Sequence, residues 1–94
     1  MNASDRYDSL IQYYAEENGV EWTLLKAQIR AESNFDPTAL LKVGAKGLTQ
    51  FMDSTWQQWG KGIPYNPEHS IDAQARYMAW LLKQQPEIEW ALAA

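Results

Sequence analysis

The segment Asn66-Pro67-Glu68 constrains the fold of this chain more than any other sequence feature. An Asn side chain can cap the first turn of a helix, Pro is favoured at the first helical position, and an acid in the first turn matches the helix dipole. Apolar residues follow at helical spacing, so we predict a well-buried helix that ends at about residue 84 or 85, before Pro86. Its apolar stripe consists of Ile71, Ala75, Met78 and Leu82, widened by Tyr77, Trp80 and Leu81.

Two other long helical patterns lie in the first third of the chain. Residues 5–18 carry an apolar stripe, with Ser4 as the expected N-cap and with Gly19 where a glycine commonly ends a helix. The second pattern begins near Val20 and places five residues on one helical face, which are Leu24, Leu25, Gln28, Ile29 and Glu32. The three patterns together predict a mainly α fold.

Glu32 lies in the last turn of the second predicted helix, just before Asn34 and Asp36-Pro37 interrupt that helix. The C-terminal end of a helix carries partial negative charge, and the apolar neighbours Ile29 and Phe35 also disfavour an ionised carboxylate. A glutamic acid that keeps its proton near neutral pH can act as a general acid. The alternative is an exposed glutamate at a helix end, so Glu32 is a candidate catalytic residue.

The segment between the second and third predicted helices is irregular. Residues 40–43 are compatible with a short strand or a helical turn, and the two glycines at residues 44 and 47 lack the pattern of a phosphate-binding loop. A short apolar segment then carries a single amide, Gln50. In the third predicted helix, Asp53 is the expected cap, Ser54 and Gln57 have the spacing of a capping box, and Gly60 ends the helix.

Composition narrows the function classes. A chain of 94 residues predicts a single domain over residues 1–94, and the absence of cysteine excludes disulfides and thiolate chemistry. The net charge of −4 and the scattered basic residues argue against a nucleic-acid partner. No apolar run is long enough to enter a membrane, and the N-terminus lacks the pattern of a signal peptide. His69 has no second ligand nearby in the sequence, so we expect no metal and no cofactor.

Residues 87–94 begin another helical pattern, which has acids in its first turn and an apolar end. Because the chain stops there, we expect that the domain is truncated at its C-terminus. We also expect that this apolar end is a candidate surface for self-association.

Three segments together resemble the soluble lytic transglycosylase (SLT) domain, which has the goose-lysozyme-like fold. The resemblance covers about residues 7–94, and it departs from the family pattern at Thr49 (usually Met), Ser70 (commonly Asn) and Gln74 (commonly Gly). The family continues with a Tyr-Asn-x-Gly motif that is absent here. The segments are Glu-Ser-Asn-Phe-Asp-Pro at residues 32–37, Gly-Ala-Lys-Gly-Leu-Thr-Gln-Phe-Met-Asp-Ser-Thr-Trp at residues 44–56 and Asn-Pro-Glu-His-Ser-Ile-Asp-Ala-Gln-Ala-Arg-Tyr-Met at residues 66–78.

The resemblance implies a lysozyme-like helical domain with Glu32 as its only catalytic carboxylate. Ser33 would help to place the sugar or the acid, Gln50 matches a substrate-binding amide, and Tyr77 lies in a motif that packs beside the site. The substrate-binding residues that the resemblance implies are Ser33, Gln50, Phe51, Met52 and Tyr77.

The implied reaction cuts the peptidoglycan glycan strand between N-acetylmuramic acid (MurNAc) and N-acetylglucosamine (GlcNAc) and leaves a 1,6-anhydro-muramic end. A goose-type hydrolase is the alternative, and it would need Asp36 or Asp53 as a second carboxylate. A second alternative is a non-catalytic glycan-binding or assembly module that uses Trp56 and Trp59 as a stacking platform. The implied place of action is the periplasm or cell wall, reached with a virion or through a phage or secretion machine.

Overall fold

A computed structural model describes residues 3–40 and 44–84 of the chain. The fold is mainly α, as predicted, with a very small antiparallel hairpin in the irregular segment. The elements in chain order are a 3-10 turn at Ala3–Asp5, α1 at Asp8–Asn18, α2 at Trp22–Ser33, β1 at Ala45–Lys46, β2 at Phe51–Met52, α3 at Asp53–Trp59 and α4 at Pro67–Gln84.

Helix α1 ends at Gly19, as the sequence predicts. Gly19 adopts the left-handed conformation (φ 68°), and the next backbone N–H, that of Val20, donates to the carbonyl of Ala15 at 2.9 Å. The predicted N-cap at Ser4 is wrong, because Tyr7 occupies the N-cap position and no side chain caps this helix.

Helix α4 begins at Pro67, and the capping role predicted for Asn66 is confirmed. The side-chain Oδ1 of Asn66 accepts a hydrogen bond from the backbone N–H of His69 at 3.0 Å. The His69 ring is also used locally, since its Nδ1 accepts from the backbone N–H of Ile63 at 3.1 Å. Among the described residues, no group of His, Cys, Asp and Glu side chains is arranged to hold a metal ion.

The hydrophobic core lies where α1 packs against α2 and α4. In the stripe predicted for α4, Ile71, Ala75 and Met78 are buried in this core, and Leu81 and Leu82 pack against it. Tyr77 instead packs against Phe51 and Trp59, and Trp80 is 45% exposed, so the predicted burial of Trp80 is wrong. The largest fully buried side chains of the core are Ile11, Leu25, Ile29, Leu48, Ile71 and Met78.

Helix α3 begins one residue earlier than the predicted cap allows. Met52 occupies the N-cap position and no side chain caps the helix, so the predictions of an Asp53 cap and of a capping box from Ser54 are wrong. The Asp53 carboxylate instead pairs at 2.9 Å with Nζ of Lys46 on β1, which forms the antiparallel hairpin with β2. Gly60 does end α3, as predicted, with its N–H bonded to the Trp56 carbonyl.

None of the helices in the part of the chain that the structure describes is long and apolar enough to cross a membrane. The helical pattern predicted from residue 87, the surface for self-association predicted there and most of the short element predicted at residues 40–43 lie outside the described residues.

Candidate active site

A cleft of about 350 Å³ opens where the end of α2, the hairpin segment and α4 meet. Five of the six site residues expected from the resemblance line it, and Ser33 is the exception. The cleft is lined by Gln28 and Glu32 from α2, by Ala45, Thr49, Gln50, Phe51 and Met52 from the hairpin segment, by Thr55 from α3, and by Gln74, Tyr77, Met78 and Leu81 from α4.

Glu32 is the penultimate residue of α2, in the last turn as predicted, and its side chain is half-buried. The helix stops because Asn34 (φ 51°) and then Phe35 (φ 65°) adopt the left-handed conformation, which residues other than glycine seldom do. The Phe35 ring is buried in the core, and this burial holds the turn in place. The left-handed backbone and the buried Phe35 ring therefore end the helix one residue after Glu32.

Ser33 lies behind the cleft and connects two of its walls. Its side chain is buried, and its Oγ donates a hydrogen bond to the carbonyl of Leu48 at 2.7 Å, with the Ile29 carbonyl also near at 3.2 Å. The bond to Leu48 ties the end of α2 to the segment that carries Gln50. This geometry allows Ser33 to position Glu32 without contacting a ligand in the cleft.

Gln50 is held in the floor of the cleft by its own loop. Its Nε2 donates to the carbonyls of Ala39 at 2.9 Å and Gly47 at 2.8 Å, and its backbone is left-handed (φ 52°). Its Oε1 is buried and has no hydrogen-bond partner among the described residues. The nitrogen of this amide thus supports the loop, and its oxygen stays buried beside the cleft.

Neither Asp36 nor Asp53, the two candidates for the second carboxylate of a hydrolase, lines the cleft. Asp36 Oδ1 accepts hydrogen bonds from the Thr38 hydroxyl at 2.7 Å and from the Thr38 N–H at 2.9 Å, which lower the pKa of this exposed carboxyl. Asp53 is exposed and paired with Lys46. Glu32 is therefore the only carboxylic acid among the described residues that line the cleft.

The family model of the transglycosylase SLT domain matches residues 9–94. The chain belongs to this family. This chain is 35% identical over 86 residues to the membrane-bound lytic murein transglycosylase F of Haemophilus influenzae. The alignment covers 92% of this chain and 17% of that protein. The chain is 37% identical over 82 residues to the membrane-bound lytic murein transglycosylase F 1 of Alkalilimnicola ehrlichii, which covers 87% of this chain and 17% of that protein.

A phage protein is also similar to this SLT domain. The peptidoglycan transglycosylase gp16 of Escherichia phage T7 is 36% identical over 88 residues, which cover 86% of this chain and 7% of the phage protein. The chain thus spans less than a fifth of the length of each of these three relatives.

A row of aromatic rings leads from the cleft of the SLT domain to its surface. Tyr77 and Phe51, which line the cleft, have ring centroids 5.8 Å apart. Tyr77 lies 5.4 Å from Trp59, and Trp59 lies 5.6 Å from the exposed Trp80. Trp56 packs against Phe51 at 5.6 Å. Both α3 tryptophans are therefore packed against other rings.

Sequence reasoning missed a polar wall of the cleft, which is lined by Gln28, Thr49 and Gln74. Thr49 and Ser70, two of the three departures from the SLT pattern, share a hydrogen bond of 2.6 Å between their hydroxyls. The third departure, Gln74, is buried and donates from Nε2 to the Leu25 carbonyl and to Gln28 Oε1, both at 3.1 Å. The signal in the sequence was that three departures fall within or beside the segments that form one cleft.

Proposed function

We propose that this domain is a lytic transglycosylase that cleaves the MurNAc–GlcNAc bond of peptidoglycan, with Glu32 as its single acid and base. The observation that carries the proposal is the placement of Glu32, the only carboxylic acid among the described lining residues, in a cleft with Gln50 and Tyr77. Family membership and the names of the relatives, which include lytic murein and peptidoglycan transglycosylases, support the same substrate. We place its action at the bacterial cell wall, and the phage relative supports delivery by a phage as one route.

In the first step, the protonated Glu32 donates its proton to the bridging oxygen as the bond from that oxygen to the anomeric carbon breaks. The carbonyl oxygen of the muramic N-acetyl group bonds to the anomeric carbon and stabilises the positive charge there. The freed GlcNAc unit leaves with the proton. Acid assistance of this kind contributes roughly 10²–10⁴-fold to the rate.

In the second step, the Glu32 carboxylate accepts the proton of the sugar's 6-hydroxyl. The 6-oxygen bonds to the anomeric carbon, and the bond from that carbon to the N-acetyl oxygen breaks. The product is a 1,6-anhydro ring, and Glu32 is protonated again. Because the attacking hydroxyl belongs to the substrate, holding it in place lowers the barrier by proximity.

The other lining residues have roles in binding. Gln50 forms part of the surface that holds the sugar, while Phe51, Met52 and Tyr77 present apolar surface to its faces. Ser33 acts from behind, through its bond to Leu48, by holding the helix end that carries Glu32. The positions of the two aspartates outside the cleft lining favour this one-carboxylate reaction over a hydrolase.

The test is digestion of purified peptidoglycan by the wild-type domain and by Glu32→Gln, with products weighed by mass spectrometry. We expect muropeptides lighter by one water than hydrolysis products, and a loss of at least about 10²-fold in rate for Glu32→Gln. Glu17→Gln, at an exposed position of α1, is the matched control and should keep the wild-type rate.

Products that have gained water would contradict the transglycosylase assignment and indicate a hydrolase. An absence of products with intact glycan binding would indicate a non-catalytic binding module.

A further inference from the structure

Two glutamine amides form a bonded pair in the wall of the cleft. Gln74 on α4 donates from Nε2 to the Leu25 carbonyl and to Gln28 Oε1 on α2. A backbone carbonyl can only accept, so the Leu25 contact fixes which end of the Gln74 amide is nitrogen. Gln28 must then offer its oxygen to Gln74. The backbone of α2 therefore determines the orientation of both amides.

This orientation turns the NH₂ group of Gln28 away from Gln74. Gln28 lies four residues before Glu32, on the same face of α2, and both side chains line the cleft. Gln28 is half-buried, whereas Gln74 is only 4% exposed. The pair thus places a fixed hydrogen-bond donor one helical turn from the candidate catalytic acid.

The oxygen of the Gln74 side-chain amide differs from its nitrogen in having no hydrogen bond to the described residues. This oxygen, Oε1, is buried, and a buried carbonyl oxygen without a donor is unfavourable. Native proteins rarely leave such groups unsatisfied unless a water, an ion or a ligand completes them. Because this oxygen is buried, a molecule in the cleft cannot reach it, and Gln74 acts on the cleft through its bond to Gln28.

Gln74 is one of the three departures from the SLT pattern that the sequence resemblance identifies. The SLT pattern commonly has Gly at the position of Gln74, and a glycine has no side chain that could hold Gln28. The neighbouring hydroxyl pair of Thr49 and Ser70 also involves two departures from that pattern. The hydrogen bonds of this polar wall therefore involve all three of those departures.

We propose that Gln28 is a specificity-determining residue for the N-acetyl group of the sugar, and that Gln74 is the positioning residue that orients it. The Gln28 NH₂ donates to the acetamido carbonyl of the sugar, and the bond from Gln74 holds the Gln28 amide in the orientation that this requires. An acetamido group offers a carbonyl acceptor, whereas a hydroxyl at the same carbon lacks the carbonyl. The assignment rests on the proposed function, because it places the sugar beside Glu32.

The test uses Glu32→Gln as the binding form and measures its affinity for two β-1,4-linked oligomers of equal length by calorimetry. One is an oligomer of N-acetylglucosamine, and the other is an oligomer of glucose, which has a hydroxyl in place of each acetamido group. Gln28→Leu keeps the bond between Gln74 and Leu25, so the fold should be retained. We expect it to reduce the preference for the acetylated oligomer by about 3–10-fold, as for a neutral hydrogen bond.

Gln74→Ala should reduce the same preference to a similar extent, because Gln28 then loses its anchor. The double variant should lose little more than either single variant, since Gln74 acts through Gln28. Gln57→Leu, at an exposed position of α3 outside the cleft lining, is the matched control and should bind as the parent does. Additive losses in the double variant would overturn the positioning role of Gln74.

Digestion of peptidoglycan by the same variants with Glu32 restored separates this inference from the proposed function. We expect a raised KM with kcat little changed for Gln28→Leu. If peptidoglycan is cleaved and both variants keep the parent's preference for the acetylated oligomer, the inference fails and the proposed function stands. If peptidoglycan is not cleaved and the preference for the acetylated oligomer still falls in both variants, the enzyme assignment fails and the proposed roles of Gln28 and Gln74 stand. If the parent has no preference for the acetylated oligomer, the inference is overturned.

Discussion

Replacing Ser33 with alanine removes the hydroxyl that connects the end of α2 to the loop that carries Gln50. In the structure, Ser33 Oγ donates to the Leu48 carbonyl at 2.7 Å, and Ser33 is only 3% exposed. Alanine fits the same space and is a good helix former, so no clash is introduced. The change is therefore close to the removal of one hydrogen bond.

The size of the effect follows from burial around the bond. Leu48 is fully buried, so water cannot easily replace the lost donor at its carbonyl. An unsatisfied buried acceptor costs about 1–3 kcal/mol of the free energy of unfolding. For a domain of this size, about 1 kcal/mol shifts Tm by about 4–8 °C. We expect Ser33→Ala to lower Tm by at least about 4 °C.

The assay has two parts. Calorimetric melting of the variant gives the change in Tm, and turnover of peptidoglycan gives kcat and KM below the melting range. We expect kcat to fall with KM little changed, because Ser33 lies outside the cleft lining and acts through the position of Glu32. Ser54→Ala, at an exposed position in the first turn of α3, is the matched control and should stay within about 0.5 kcal/mol of wild type.

A specific result would refute the reasoning. If Ser33→Ala has the same Tm as the wild-type protein and binds the glycan more weakly, then Ser33 contacts the substrate and does not anchor the end of α2. A loss of stability in Ser54→Ala as large as that in Ser33→Ala would also contradict the explanation, since Ser54 caps nothing in the structure.

Two other positions give predictions about stability. Gly47 has φ 79°, and an added Cβ would clash with the Pro64 carbonyl oxygen. Gly47→Ala should therefore lower the free energy of unfolding by more than about 1 kcal/mol in denaturant titration, and an unchanged midpoint would contradict this. Tyr14 donates to Glu68, which raises the pKa of the phenol to about 12. Because the folded-state pKa is the higher one, the stabilisation is complete below pH 10 and is lost as pH rises from about 10 to 12. The difference in stability between wild type and Tyr14→Phe should therefore shrink from pH 9 to pH 11.5, and a constant difference would contradict this.

The C-terminal end of α1, the N-terminal end of α4 and the position of Glu32 could be predicted from local sequence. Gly19 and Asn66 act through backbone groups within a few residues, so their residue types carry the information. Glu32 was predicted at a helix end because Asn34 and Pro37 interrupt the helix, and the structure places the end at Ser33. The catalytic role of Glu32 stays a prediction.

Features that depend on distant partners could not be predicted. The Asp53 cap failed because α3 begins at Asp53 itself, with Met52 as the N-cap, and the Asp53 carboxylate pairs with Lys46 on β1. Strands of two residues are too short for any periodicity to reveal. The bond from Gln74 to Gln28 spans 46 residues of sequence, and nothing local to either glutamine indicates the other.

The aromatic row gives the domain an optical property of its own. Phe51 and Tyr77 line the cleft, Tyr77 contacts Trp59, and Trp59 contacts the exposed Trp80. Indole fluorescence depends on the polarity and the neighbours of the ring, and energy absorbed by tyrosine passes readily to a nearby tryptophan. If a sugar binds against Tyr77 as proposed, it will change the surroundings of a ring that is coupled to two natural fluorophores. We therefore expect occupancy of the cleft to change the intrinsic emission of the domain, without a label.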